Sequence, residues 1–263
     1  MAVLRAENIS KYIHGFAGSG QLILEDLNFE INVREPEGCI STILAPFGAG
    51  KTTLLRILAA VDHQTSGKIF LEEKEYNKPN GSIVYIPEKP SSFPWLNVTQ
   101  NINFAINLKN KNADKEKLNS LISFAGLTGY EDHFPDDKSL GFRFRISLVR
   151  ALAVEPKLII LDDPLKNLHG ETKHEIKLLI KKAANDFKVP LLITTTNVSE
   201  SIDLSNEIFL MKKHPGKIIG NLKIDRHLIA GKDGKYFEAI KHQIEESFSG
   251  HENSLLVSET GNR

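Results

Sequence analysis

Short apolar runs alternate with longer amphipathic segments along much of this chain. Cys39 to Leu44 is an apolar, β-branched run of the kind that forms a buried strand. Leu54-Leu55-Arg56-Ile57-Leu58-Ala59-Ala60 follows it with helical spacing and good helix formers. Leu158-Ile159-Ile160-Leu161 is too short for a helix and reads as a central parallel strand. Pro190 to Thr196 and Ile208 to Met211 read as further strands. An amphipathic helix is expected over Glu171 to Phe187 and a short helix over Ser199 to Leu204. Strands alternating with helices predict a parallel sheet covered on both faces.

Two regions depart from that alternation. Val3 to Ile9 and Leu22 to Val33 are β-rich, and the second partly alternates as a half-buried antiparallel sheet does. Lys68 to Glu72 and Ser82 to Ile86 add short strands. From Asn97 to Ala153 the spacing of Ile102, Ala105, Ile106 and of Leu118, Leu121, Ile122, Ala125 is mostly helical. Pro87, Pro90 and Pro94 interrupt regular structure before it. Lys217 to Ile224 is a weak strand and Tyr236 to Phe248 a helix. The tail from Gly250 is polar and expected to fray. Between the first two strands lies a glycine-rich stretch, Lys11 to Gly20, read as a loop.

Composition narrows the class. The chain has 263 residues with 33 basic and 33 acidic side chains, so bulk charge gives no reason to expect nucleic acid as a partner. The single cysteine, Cys39, excludes an intrachain disulfide and fits a reducing compartment. Met1 to Glu7 has no long apolar leader core, and no apolar run approaches the ~20 residues a membrane helix needs. The expectation is a soluble, cytoplasmic chain, for which any membrane role would come through a partner. His169 and His174 are poorly spaced for a metal, and Asp136-Asp137 reads as a polar turn.

The chemistry concentrates between the strand ending at Leu44 and the helix beginning near Leu54. Ala45-Pro46-Phe47-Gly48-Ala49-Gly50-Lys51-Thr52-Thr53 fits G-x-x-x-x-G-K-[ST], except that Ala45 takes the first glycine's place. In such a loop, backbone N–H groups and the helix N-terminus converge on phosphate oxygens. Lys51 would reach the β- and γ-phosphates, and the Thr52 hydroxyl would ligate Mg²⁺. Downstream, Asp162 ends an apolar strand, where a carboxylate holds Mg²⁺ directly or through water. Asp163 follows and could orient or deprotonate an attacking water. Among the loop aromatics, Tyr12 is the choice for stacking on an adenine ring, with His14 and Phe16 as competitors.

With those motifs in order, the chain resembles the nucleotide-binding ATPase subunit of ABC transporters over residues 1 to about 225. Ser139-Leu140-Gly141-Phe142-Arg143-Phe144-Arg145 resembles the family signature L-S-G-G-Q-x-x-R. Ile86-Pro87-Glu88-Lys89-Pro90 to Pro94-Trp95 is similar to the glutamine loop of the nitrate, sulfonate and taurine importer branch. His214-Pro215-Gly216-Lys217-Ile218 resembles that branch's Arg-Pro-Gly-Arg-Ile segment. The resemblance implies an α/β fold, a P-loop NTPase of ABC type with an antiparallel β flank. A helical subdomain is inserted over 91–153, and 226–263 forms a C-terminal helical extension and tail. It implies ATP and Mg²⁺ as cofactors, with Ser139 and Gly141 facing the nucleotide of a second ATP-binding subunit. It also implies membrane permease subunits as partners, docked near Pro94-Trp95, and a peripheral position on the cytoplasmic face.

Departures from the family pattern cluster at hydrolysis positions. Glu88 stands for the loop glutamine, still able to offer an oxygen to Mg²⁺ but adding a negative charge. Lys138, Leu140 and Phe142 alter the signature. Asp163 replaces the catalytic glutamate, Thr196 the switch histidine, and Lys166-Asn167-Leu168-His169 the Ser-Ala-Leu-Asp segment. Threonine hydrogen-bonds but does not become a cation near pH 7. Gly50, Lys51, Thr52 and Asp162 remain. The expectation is therefore an importer-type subunit that binds Mg-ATP and hydrolyses it weakly or not at all alone, as a homodimer or beside an intact ATPase in a heterodimer. A regulatory or structural nucleotide-binding module without transport is the alternative. An ABC ATPase of DNA repair or ribosomes is disfavoured because the chain has no duplicated cassette and no long coiled-coil insertion.

Overall fold

The computed structural model describes residues 2–14, 20–32, 39–109, 115–136, 138–231 and 234–249. Phe16, Asp137 and the tail from Gly250 lie outside the described residues. The chain divides into two compact units, the first formed by both ends of the chain and the second by 80–191.

The first unit opens with β1 (Ala2–His14) and β2 (Gly20–Asn32), a long antiparallel pair in which Tyr12 faces Leu22 and His14 faces Gly20. Residues 11–14, read as loop from the sequence, are therefore strand. Tyr12 and Ile13 suit an extended backbone, and the partner strand supplies their ladder. Next come β3 (Ile40–Leu44), α1 (Lys51–Leu58), β4 (Ser66–Leu71) and a two-residue β5 (Lys74–Glu75) that the sequence pattern did not announce. One antiparallel sheet runs β2-β1-β4-β5. This is the antiparallel flank expected from the alternation of β2, whose Leu24, Leu27, Phe29 and Ile31 are buried.

The second unit carries β6 (Ile83–Ile86), α2 (Val98–Lys109), α3 (Lys115–Phe124), α4 (Leu140–Ala153), β7 (Leu158–Leu161) and α5 (Gly170–Phe187). Strands β6 and β7 are parallel, pairing Ile83 with Leu158 through Ile86 with Leu161. All of β7 is buried, which explains its uninterrupted apolar sequence. Between α3 and α4 the chain turns instead of continuing helical, with Gly126 and Gly129 at positive φ (65° and 86°).

The chain then returns to the first unit with β8 (Leu191–Thr195), α6 (Val198–Leu204), β9 (Glu207–Lys212), β10 (Lys217–Lys223), α7 (Arg226–Ala230) and α8 (Gly234–Ser249). Here the strand order is β10-β9-β3-β8, with β3 parallel to β9 and β10 antiparallel to it. Ile240, Ile244 and Phe248 of α8 pack with Leu44, Ile202, Ile208, Leu210 and Ile224 in one apolar cluster. Arg226 secures the same corner by donating to the carbonyls of Ile202, Asp203 and Ser205 at 2.8–3.2 Å. The last helices thus share the core that lies under β3.

Candidate functional site

The phosphate-loop segment is shaped by backbone geometry. Gly48 and Gly50 adopt positive φ, 80° and 89°, which only glycine takes without strain. A β-carbon at Gly50 would lie 2.9 Å from Leu24 Cδ2, so close packing on β2 requires glycine there too. Ala45, in the first glycine's place, is not among the positive-φ residues and is buried, so its methyl group is accommodated. Its N–H donates to the Thr195 carbonyl at 3.2 Å. This bond holds the start of the loop against the end of β8, one residue before the exposed Thr196.

Pro46 and Ala49 are buried, whereas Phe47, Gly48 and Thr52 are exposed at the loop's mouth and Thr53 is half-buried. Lys51 opens α1. Its buried ammonium donates to the carbonyls of Ala45 at 2.9 Å and Pro46 at 3.1 Å, folding the side chain back over the loop. The N-cap of α1 is Gly50, so no side chain covers the helix N-terminus. A helix start with an unobstructed end, a lysine laid beside it and an exposed hydroxyl at Thr52 together fit a phosphate chain and its cation.

Support for the loop comes from a part of the chain far away in sequence. Gly216 exchanges backbone hydrogen bonds with β2, its N–H donating to Ile23 and its carbonyl accepting from Glu25, at 2.8 and 2.9 Å. A β-carbon on Gly216 would lie 2.3 Å from the Ala49 carbonyl oxygen. The His214-Pro215-Gly216 segment is therefore the floor on which the phosphate loop rests. Sequence reading noticed this segment only through resemblance and gave it no role.

Tyr12 sits at the exposed end of β1, its ring edge-on to His14 at 4.8 Å. A β-carbon on Gly20 would overlap the Tyr12 ring, so the glycine leaves room for that ring to lie across the hairpin. The pair offers an apolar face at the surface of the first unit.

In the second unit, β7 delivers Asp162 and Asp163, both buried. The Tyr85 hydroxyl donates to Asp162 Oδ2 at 3.0 Å, and the Asp162 N–H donates to the Ile86 carbonyl at 3.0 Å. Tyr85 is a positioning group that the sequence reading missed; its place three residues before Glu88 was the only signal. Asp163 adopts a left-handed φ of 46° and begins a turn closed by the Lys166 N–H on its carbonyl. Asn167 is left-handed too, at 64°. That turn brings Lys166 and Asn167 to Glu88: Lys166 Nζ lies 3.0 Å from Glu88 Oε2, and Asn167 Nδ2 lies 3.4 Å from Oε1.

The signature segment forms the start of α4. Ser139 is its N-cap, with its hydroxyl accepting from the Phe142 N–H at 3.3 Å. A β-carbon on Gly141 would lie 2.6 Å from Thr172 Cγ2, so this glycine is needed for α4 to pack on α5. Leu140 is half-buried. Arg145 ties α4 to its surroundings through the Ala125 carbonyl and Glu175, both at 2.6 Å. Arg150 lies over the Phe93 ring at 4.1 Å and donates to the Ser91 carbonyl, and burial pushes its guanidinium below its ordinary pKa. Phe93 also stacks on Trp95, which is 70% exposed. Among the described residues no group of three His, Cys, Asp or Glu side chains is gathered as a metal cage. A magnesium ion here would depend on nucleotide oxygens and water for most of its shell. No described helix is long and apolar enough to cross a membrane.

The family described as ABC transporter matches residues 24–166. An uncharacterized ABC transporter ATP-binding protein of Methanocaldococcus jannaschii is 32% identical over 224 residues, 84% of this chain and 82% of the relative. An aliphatic sulfonates import ATP-binding protein of Bacillus cereus is 30% identical over 240 residues, 91% of this chain and 93% of the relative. Among solved structures, a dimeric ATP-binding cassette bound to ADP and Pi superposes with a TM-score of 0.71 at 21% identity, covering 84% of this chain and 99% of that one.

Proposed function

The chain belongs to the ABC transporter ATP-binding family, whose cofactors are ATP and Mg²⁺, and from that premise we propose that it is an importer-type subunit that binds Mg-ATP but hydrolyses it slowly on its own. What supports this reading is the contrast between the phosphate-loop residues, which match the expected motif, and the residues at the positions where the resemblance expects hydrolytic groups. Gly48 and Gly50 take positive φ and Lys51 lies over the loop, as a phosphate loop would have them, while Glu88, Asp163 and Thr196 stand where the resemblance expects a glutamine, a glutamate and a histidine.

In this reading the backbone of Ala45, Pro46, Gly48, Ala49, Gly50 and Thr53 orients the phosphates, and Lys51 neutralises them. Thr52 would supply an oxygen to Mg²⁺, and Asp162 and Glu88, the other two ligands expected from the sequence, belong to the second unit. Tyr12 stacks on the base. Magnesium, when bound, would supply charge neutralisation of the phosphoryl oxygens. Asp163 is the group available to orient water. Being one methylene shorter than glutamate, its carboxylate reaches about 1.5 Å less far, one C–C bond. A misplacement of ~1 Å costs on the order of 100-fold in rate. Thr196 donates or accepts a hydrogen bond but brings no positive charge.

Closure onto a second ATP-binding subunit would use Ser139 and Gly141, and a heterodimer with an intact ATPase would rescue one of the two sites. The exposed Trp95 surface would meet a permease, holding the subunit on the cytoplasmic face of the membrane. The core would then run to about residue 225, with 91–153 as the helical subdomain and 226–263 as a C-terminal extension. The test is a titration with a fluorescent ATP analogue in Mg²⁺, paired with steady-state phosphate release. Saturable binding with turnover well below ~1 per second is expected; 1 per second or more is ordinary enzyme turnover. Such turnover by the chain alone would refute slow hydrolysis, and absent binding would refute the nucleotide reading itself.

A further inference from the structure

Sequence reading gave no part to Glu200, yet the fold buries its side chain at the corner where β8 ends and α6 begins. Thr195, the last residue of β8, is buried beside it. The Thr195 hydroxyl donates to Glu200 Oε2 at 3.1 Å and accepts from the Asn197 N–H at 3.1 Å. Asn197, the N-cap of α6, accepts in turn from the Glu200 N–H at 2.9 Å. These three bonds close the corner on itself. The backbone of the same threonine reaches the phosphate loop. Its carbonyl accepts from the Ala45 N–H at 3.2 Å, and the Ala45 carbonyl accepts from Lys51 Nζ at 2.9 Å. Hydrogen bonds passing through Thr195 and Ala45 therefore join a buried carboxyl group to the loop's lysine, and every member belongs to the first unit.

We propose that Glu200 is a positioning residue for the phosphate loop, acting through Thr195 to fix Ala45 and the carbonyl on which Lys51 rests; this deepens the reading above, that the loop binds Mg-ATP, and rests on it. The Ala45–Thr195 bond lies at the end of β8, and the ends of elements open readily unless something holds them. A hydroxyl that donates to one group and accepts from another is held in one orientation. Without the Glu200 acceptor the Thr195 hydroxyl loses a buried partner, and the corner that carries the Thr195 carbonyl loosens. A looser corner lowers the fraction of molecules whose loop is in the binding shape, and apparent affinity falls by that fraction. Loss of one such hydrogen bond shifts the balance by up to about 10-fold.

The experiment uses the full chain and two readouts: the dissociation constant of a fluorescent ATP analogue with Mg²⁺, and residue-resolved amide exchange by NMR. Both are measured well below each variant's thermal midpoint. Glu200→Ala and Thr195→Val should each weaken binding about 3- to 10-fold and speed exchange of the Ala45 N–H at least ~10-fold. The Tyr76 N–H, bonded to the Ile69 carbonyl, is the control and should change far less. Where Glu200→Ala lowers the midpoint too far to be read, Thr195→Val carries the same prediction. The double variant should cost little more than Thr195→Val alone, because the two changes remove one shared bond. Glu200→Gln keeps an acceptor oxygen and should recover most of the affinity and the protection. Equal acceleration at Ala45 and Tyr76 would overturn the proposal, since Glu200 would then serve only overall stability. Unchanged binding, weaker binding without faster exchange at Ala45, or additive losses in the double variant would overturn it too. Failure of the wild-type chain to bind the analogue would instead overturn the nucleotide reading, and the proposal with it, while exchange at Ala45 would still report whether Glu200 holds the loop.

Discussion

Gly216→Ala tests whether the segment after β9 is the floor of the phosphate loop. The added methyl carbon would lie 2.3 Å from the Ala49 carbonyl oxygen, 2.4 Å from Met211 Cε and 3.1 Å from Leu24 Cδ2. Met211 has a flexible end and can swing away; a backbone oxygen cannot. Carbon and oxygen tolerate approach to about 3.3 Å, so the loop must shift by ~1 Å. Forcing an extra methyl into packed surroundings costs about 1–3 kcal/mol. For a chain of this size each kcal/mol lowers the thermal midpoint by about 2–4 °C, giving a drop of about 2–12 °C. Ala49 leads directly into Gly50 and Lys51, so displacement should also weaken ATP-analogue binding by at least ~10-fold, or ~1.4 kcal/mol. Gly220→Ala, four residues further on within β10, is the matched control, because nothing lies within 4 Å of its added carbon. Calorimetry and nucleotide titration on both variants give the answer. If Gly216→Ala melts and binds like Gly220→Ala, Gly216 does not support the loop.

Other consequences can be measured separately. Burial alone would raise the Asp62 carboxyl, but the Lys11 side chain, the His63 N–H and the charges of Lys11 and Arg56 outweigh it and leave it below the ordinary 3.8. A depressed carboxylate contributes stability above its unfolded pKa and loses it as pH falls through the folded value. Asp62→Asn should therefore melt lower than wild type at pH 6, with the difference closing below about pH 4; a constant difference on a pH-melting profile would refute this. Arg226→Ala removes hydrogen bonds to the Ile202, Asp203 and Ser205 carbonyls and should cost about 2–4 kcal/mol in urea unfolding. If hydrolysis is slow as proposed, Asp163→Glu with Thr196→His, the residues the resemblance expects at these two positions, should raise phosphate release at least ~10-fold; an unchanged rate would refute the assignment of slow hydrolysis to these two residues. Tyr85→Phe removes the donor to Asp162 Oδ2 and, if Asp162 serves Mg²⁺ as proposed, should raise the Mg²⁺ concentration needed for half-maximal analogue binding about 10-fold, the low end for loss of one hydrogen bond to a charged group.

The alternation of apolar runs was enough to place most of the strands and helices, because β7 and β8 are buried throughout, β7 wholly apolar and β8 apolar up to two buried threonines. The phosphate loop was legible for a similar reason: its glycines and lysine are adjacent, and the geometry they require is local. The extension of β1 through His14 was not legible, since the ladder that makes residues 11–14 a strand belongs to β2. Nor was the turn between α3 and α4, where positive φ at Gly126 and Gly129 breaks a helical pattern.

What the sequence determined by itself, then, was the chemistry that neighbouring residues share: a cradle for phosphate and an acid at the end of an apolar strand. What the tertiary structure alone decided was which distant residues answer one another. Glu88, Lys166 and Asn167 look in sequence like separate departures, yet the pairing of β6 with β7 makes them one contact. Gly216 looks like an ordinary turn residue, yet Ala49 lies against it. Chain order carries local backbone preference, whereas contacts between remote segments depend on sheet register, which no short stretch of sequence contains.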